Sequence, residues 1–289
     1  MKLFLFVTFA WSWGIAVAAF AAGWVAFPFV ENDKNAYPMV IAFMCGPMIG
    51  ALVAAAANGG FVKVLRLSFR PNIWWARAFM FPAALVILAH AISLFVPGIE
   101  AARPFGAIAP LLTPEQRSQL SALPPLTIDA LLLVQAGLVG ALINSVLLVN
   151  EELGWRGFML SKLSQLGFWP RHLTIGFVWG IWHIPIIAAG HNYPGEPVLG
   201  SVVFTVYCML LSPIIGYYAE RSNSVFGATI FHGTFNAMAA ASMLALAGGS
   251  VFERGVVGWP GMALLALGCL WLALDKSKDS TAPSADRTV

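Results

Sequence analysis

The stretch ALINSVLLVNEELGWRG, residues 141–157, runs ten largely apolar residues straight into two adjacent carboxylates. Extended back to residue 128, the apolar part reaches the roughly 20 residues that a helix needs to cross a bilayer. The rest of the chain repeats this composition. Of its 289 residues, 59% are hydrophobic and 10% charged, with a mean hydropathy of +0.80. A soluble domain carries about a quarter charged residues. The expected fold is therefore all-α, a polytopic membrane bundle of about eight transmembrane helices. The spans fall near 3–29, 38–57, 78–97, 128–150, 172–189, 198–219, 225–247 and 257–274. Polar breaks such as ENDKNAYP, HNYPGEP and ERSNS separate them. The long Pro-rich loop 98–127 is assigned no structure.

The first apolar run outlasts the ~7–15 residues of a signal-peptide core, so it reads as an uncleaved span. Residues 1–274 form one integral-membrane domain with its motif core at about 145–240. Residues 275–289 form a polar cytoplasmic tail with almost nothing to bury. Alternating the spans from a cytoplasmic N-terminus places twelve of the sixteen Lys and Arg residues inside. Only Lys34, Arg103, Arg117 and Arg254 fall outside. That bias follows the positive-inside rule and puts both termini in the cytoplasm. The expected location is a bacterial-type cell membrane, with the bilayer as first partner. No basic patch interleaved with aromatics argues for nucleic acid. Cys45, Cys208 and Cys269 match no zinc or redox spacing and read as small hydrophobes. Oligomeric state leaves no mark. No internal repeat of broken spans points to a transporter.

Ionisable residues at membrane depth are costly and mark candidate sites. Glu151 and Glu152 close the fourth span, and on a helix they point about 100° apart. Glu152 and Arg156 are spaced i, i+4 with the acid first, the favourable order for an ion pair. That pairing leaves the part of general base to Glu151. His183 lies in WGIWHIP, and His232 and Asn236 share a helix face in HGTFN. Taken alone, the acids also fit a solvated interfacial cluster, and either His fits a structural histidine. Depth ties them together. His183 follows Arg171 by about 18 Å of helix, His232 follows Arg221 by about 16 Å, and Glu151 precedes Lys162 by about 16 Å if its helix is unbroken. A Glu able to take a proton from water, two imidazoles and an amide suit hydrolysis of an acyl or peptide bond. The imidazoles serve as oxyanion donors or as ligands to a divalent metal.

EELGWRG, WGIWHIP and HGTFN, in this order on successive spans, resemble the motifs of the CPBP family of intramembrane proteases. That family includes CAAX prenyl endopeptidases of the Ras-converting type and bacterial lysostaphin-resistance and immunity-like proteins. Its pattern is EExxxR, FxxxH and HxxxN/D. Trp179 stands here where Phe is usual. The resemblance implies Glu151 as the base activating water, with Glu152 and Arg156 completing the first motif. It implies His183, His232 and Asn236 around the scissile carbonyl. Two cofactor readings stand open: zinc or another divalent metal held by His183 and His232 with Glu151, and a metal-free glutamate mechanism. No HExxH motif supports the zincin route. The expected activity is endoproteolysis of a membrane-associated peptide or lipid-modified protein. The alternative is a non-catalytic immunity or scaffold protein using the same polar cluster structurally.

Overall fold

The computed structural model describes residues 1–29, 33–57, 61–102 and 113–275. Helices dominate: α1 Lys2–Ala21, α2 Ala36–Ala56, α3 Phe61–Val64, α4 Ile73–Ser93, α5 Pro114–Ser121 and α6 Pro125–Gln135. A π-helical segment, Ala136–Gly140, leads into α7 Ala141–Leu147 and α8 Val149–Glu152. A second π segment, Leu153–Met159, leads into α9 Leu160–Lys162. Then follow α10 Phe168–Trp182, α11 Ile184–Ala188, α12 Pro197–Ser222, α13 Val225–Leu244 and α14 Trp259–Leu274. The strands among the described residues are β1 Glu100–Ala101 and β2 Leu246–Ala247, an antiparallel pair two residues long.

The all-α, polytopic expectation holds. Among the described residues, five helices have the length and apolarity to cross a membrane: Lys2–Ala21, Ala36–Ala56, Ile73–Ser93, Leu126–Leu147 and Pro197–Ser222. The three other expected spans are helical too, over α10 with α11, α13 and α14. Boundaries moved where aromatics hold charge. The span expected from residue 78 starts at Ile73, because the Arg77 guanidinium lies 4.5 Å from the Trp74 ring and stays in the helix. The first span is shorter than its apolar run. It ends at Ala21, and the following segment is tied down by hydrogen bonds, with Phe29 N–H donating to the Ala189 carbonyl at 2.7 Å. Residues 103–112 of the long loop and 276–289 of the tail lie outside the described residues.

The chain divides into two compact units. The first comprises Met1–Ala78, Leu148–Thr229 and the chain from Leu265. Glycines set its helix spacing. A Cβ on Gly176 would sit 2.6 Å from the Cys208 carbonyl oxygen, and one on Gly180 would sit 2.6 Å from Thr205 Cα. This Gly-x-x-x-Gly pair lets α10 and α12 touch backbone to backbone, as packing in lipid requires. Gly46 and Gly50 play the same part for α2 against α1, where added Cβ atoms would lie 2.9 Å from the carbonyl oxygens of Thr8 and Phe4. At the end of α12, Asn223 adopts φ 51°, a left-handed cap that Asn tolerates. Ser224 then caps α13, its Oγ accepting from Phe226 N–H at 3.1 Å.

The second unit comprises Phe79–Leu147 and Ile230–Leu264. Here Gly233 lets α13 press on α7, since its Cβ would overlap the Ser145 backbone. Gly140 meets Ala237 in the same way, with an added Cβ 3.2 Å from the Ala237 Cβ. A buried polar cluster crosses this unit: His90 Nδ1 lies 3.1 Å from Ser242 Oγ, and His90 Nε2 lies 3.5 Å from Asp129 Oδ2.

Candidate active site

The π segment Leu153–Met159 begins directly after the two carboxylates, so EELGWRG sits on an α-to-π junction. Such bulges are rare inside helices and frequent at functional sites. The depth expected for Glu151 assumed an unbroken α-helix down to Lys162, and this junction removes that assumption. The glycines of the motif have a packing reason. A Cβ on Gly154 would meet Pro47 at 2.6 Å, and one on Gly157 would meet the Leu65 carbonyl oxygen at 2.9 Å. The π segment therefore lies flush against α2 and against the residue following α3.

The adjacent acids have different partners. Glu152 and Arg156 are both fully buried, and Arg156 Nη1 donates to the two oxygens of Glu152 at 3.0 and 3.3 Å. The Arg156 guanidinium also lies 4.7 Å from the centre of the Trp179 ring, a cation–π contact. Its Nε and Nη2 are buried without hydrogen-bond partners among the described residues. Glu151, 3% exposed, accepts a 2.8 Å hydrogen bond on Oε2 from the Trp179 indole N–H. One indole thus contacts both halves of the motif: its N–H holds Glu151 and its face covers Arg156.

Trp179 also reaches His183. His183 Nδ1 lies 2.8 Å from the Trp179 carbonyl oxygen. A carbonyl only accepts, so Nδ1 carries the proton. Neutral His183 presents an acceptor at Nε2; only the imidazolium presents a donor there. The residue sits at the joint between α10 and α11, where Pro185 follows in the first turn of α11. Rings of Trp182 at 4.6 Å and Phe204 at 4.8 Å pack on the imidazole. Phe43 and Trp155 pack on Trp182 in turn, at 4.5 and 5.7 Å. The polar groups are thus enclosed by aromatic surface, where charge interactions are stronger than in water.

In the first unit the structure brings together Glu151, Glu152, Arg156 and His183, with Trp179 as the common contact. His232 and Asn236 belong to the second unit, one turn apart on α13. His232 is buried and Asn236 half-buried. Sequence reading marked Trp179 only as an aromatic swap. The available signal was a Trp four residues before a His, where an apolar face asks for no N–H. Arg171, read as the basic anchor at the start of its span, is instead buried and paired with Glu220, beside a fully buried His172.

A resident zinc ion takes three or four protein ligands. Among the described residues, no three His, Cys, Asp or Glu side chains gather as such a site demands.

No curated protein matches the chain. A family model described as type II CAAX prenyl endopeptidase Rce1-like matches residues 130–238, which hold all three motifs. Over residues 130–238 the chain is therefore similar to the Rce1-like CAAX protease family.

Proposed function

We propose that this protein is an intramembrane endopeptidase that hydrolyses a peptide bond of a membrane-associated substrate with water activated by Glu151. The observation that supports this reading most is the division of labour between adjacent acids. Glu152 is neutralised by Arg156, while Glu151 is held at one oxygen by an indole N–H in an apolar enclosure. Glu151 takes one proton from water as the water oxygen attacks the carbonyl carbon. The C–O bond forms and the carbonyl oxygen becomes an oxyanion. His183, through a protonated Nε2, supplies a donor to that oxyanion. When the C–N bond breaks, the carboxylic acid of Glu151 returns its proton to the leaving amine. Glu152 and Arg156 fix the α-to-π junction that follows Glu151. Both termini face the cytoplasm in this reading, and the site opens to that side.

The substrate class follows the family: a lipid-modified CAAX protein or a related membrane-tethered peptide. The test is cleavage by the purified full chain in bilayer nanodiscs. A farnesylated peptide ending in a CAAX box is compared with its unmodified twin by mass spectrometry. Release of the C-terminal tripeptide from the farnesylated peptide supports the proposal. Failure of a monodisperse, folded preparation to cut either peptide, or any other membrane-tethered peptide in a library, refutes it.

A further inference from the structure

A cavity of about 510 Å3 in the first unit has none of the acid-pair residues in its lining and lies at the C-terminal end of α12, a helix of membrane-crossing length. It is lined by residues of α3 and of the stretch just after it, by α9 and Ser164, and by Arg171, Glu220 and Asn223. Four cations converge on it, Lys63, Arg66, Lys162 and Arg171, against a single carboxylate, Glu220. That carboxylate is already engaged with Arg171 and His172. Among the described residues, Lys63, Arg66 and Lys162 make no ion pair.

Arg66 is the informative member. Its φ of 54° is a left-handed conformation costly for a side chain of this size. Its Nη2 donates to the Ala219 carbonyl at 3.2 Å, while its Nε is buried without a partner. Burial works against its positive charge; Glu220 favours that charge and the nearby Arg171 guanidinium opposes it. Glu220 is taken by Arg171, so an anion entering the cavity would meet Lys63, Arg66 and Lys162, which have no ion pair among the described residues. The level of the cavity narrows the choice of anion. Trp74 stacks under Arg77 and Arg221 at 4.5 and 5.4 Å, and Tyr217 contacts Arg221 at 5.2 Å. Aromatic rings carrying basic side chains are what a helix end presents at the lipid headgroups. Apolar Val62, Leu67 and Leu160 complete the lining beside the cations.

We propose that this cavity binds the phosphate group of an anionic phospholipid, with Lys63, Arg66, Lys162 and Arg171 around the phosphate. Basic pockets between membrane helices hold anionic headgroups by this chemistry. Occupation would brace the α3 segment against α9 and α12, independently of any catalytic role for Glu151.

Native mass spectrometry of the full chain, released from detergent, tests this with phosphatidylglycerol and phosphatidylcholine titrated in parallel. Phosphatidylglycerol should be retained over phosphatidylcholine. Lys63→Gln and Lys162→Gln should each weaken its binding about fivefold, with phosphatidylcholine binding and thermal midpoint unchanged. Lys2→Gln, outside the cavity, should leave binding unchanged. Equal retention of the two lipids, or no loss in the Lys63→Gln/Lys162→Gln double variant, overturns the proposal. So does equal weakening by Lys2→Gln, which would mean general surface charge. Inorganic phosphate and glycerol 3-phosphate form the last arm. Displacement of the lipid by either at millimolar concentration assigns the site to a soluble phosphate and overturns the lipid assignment; no displacement supports it.

Discussion

Exchanging Glu152 and Arg156 for methionine, singly and together, separates the structural acid of the motif from its neighbour. Both side chains are fully buried, joined by hydrogen bonds of 3.0 and 3.3 Å, and enclosed by Trp179. Glu152→Met strands a guanidinium that already has two unpartnered nitrogens. Arg156→Met strands a carboxylate. Each single change should cost about 3–5 kcal/mol, the range for an ion left buried without its counterion. The double change replaces the pair by apolar side chains of similar reach. It should cost far less than the sum and lie within about 2 kcal/mol of wild type. The coupling is therefore expected at several kcal/mol, well beyond the ~0.5 kcal/mol within which independent sites add. Reversible unfolding in mixed dodecyl maltoside and dodecyl sulfate micelles measures all four proteins. Glu151→Gln is the control, since glutamine still accepts from the Trp179 indole. It should change stability by about 1 kcal/mol or less. Single changes that cost under about 1 kcal/mol, or a double change equal to their sum, would refute the assignment of Glu152 and Arg156 as an interdependent buried pair.

Three further outcomes follow from named contacts. Trp179→Phe keeps an aromatic ring but removes the N–H on Glu151, a bond to a charged group worth about 1.5–3 kcal/mol; kcat should fall about 10- to 100-fold with KM little changed. Gly180→Ala places a Cβ 2.6 Å from Thr205 Cα, on backbone that does not yield. It should cost about 1–3 kcal/mol of stability in the same micellar assay and lower activity by displacing His183, three residues on. Asp33 accepts from the Ala26 and Asn35 backbone N–H groups at 3.0 and 2.9 Å, which hold its carboxyl below the ordinary carboxylate value. A depressed folded-state value means its contribution is present above the unfolded-state value and lost as pH falls through the folded one. Carboxyl-carbon NMR titration, assigned with Asp33→Asn, should find its midpoint below that of an unfolded-chain aspartate.

The helical membrane fold was legible because lipid leaves few options: every backbone polar group must be satisfied within the segment. Runs such as residues 128–150 therefore declare themselves by composition alone. The Glu152–Arg156 pair was legible for a similar reason, since i, i+4 spacing is local. What was hidden is set by packing across sequence distance. Trp179 meets Glu151 across 28 positions, and Arg171 finds Glu220 across a larger gap, so the basic residue from which the depth of His183 is counted is itself buried in an ion pair. The π segment after Glu152 was hinted at by Gly154 and Gly157, but its cause lies in Pro47 and Leu65, which approach closely enough to forbid any Cβ. The short β1–β2 pair and α5 lie in or pair with a Pro-rich stretch whose periodicity matches neither helix nor strand.

The central claim is that Glu151, and not its neighbour, activates the water. Single-turnover cleavage of a membrane-tethered peptide by Glu151→Gln, reconstituted beside wild type in the same nanodiscs, tests it most directly. The account predicts a rate lower by about 10²–10⁴, the range for loss of a general base, with fold and substrate binding retained. A Glu151→Gln protein that cleaves at the wild-type rate would contradict it.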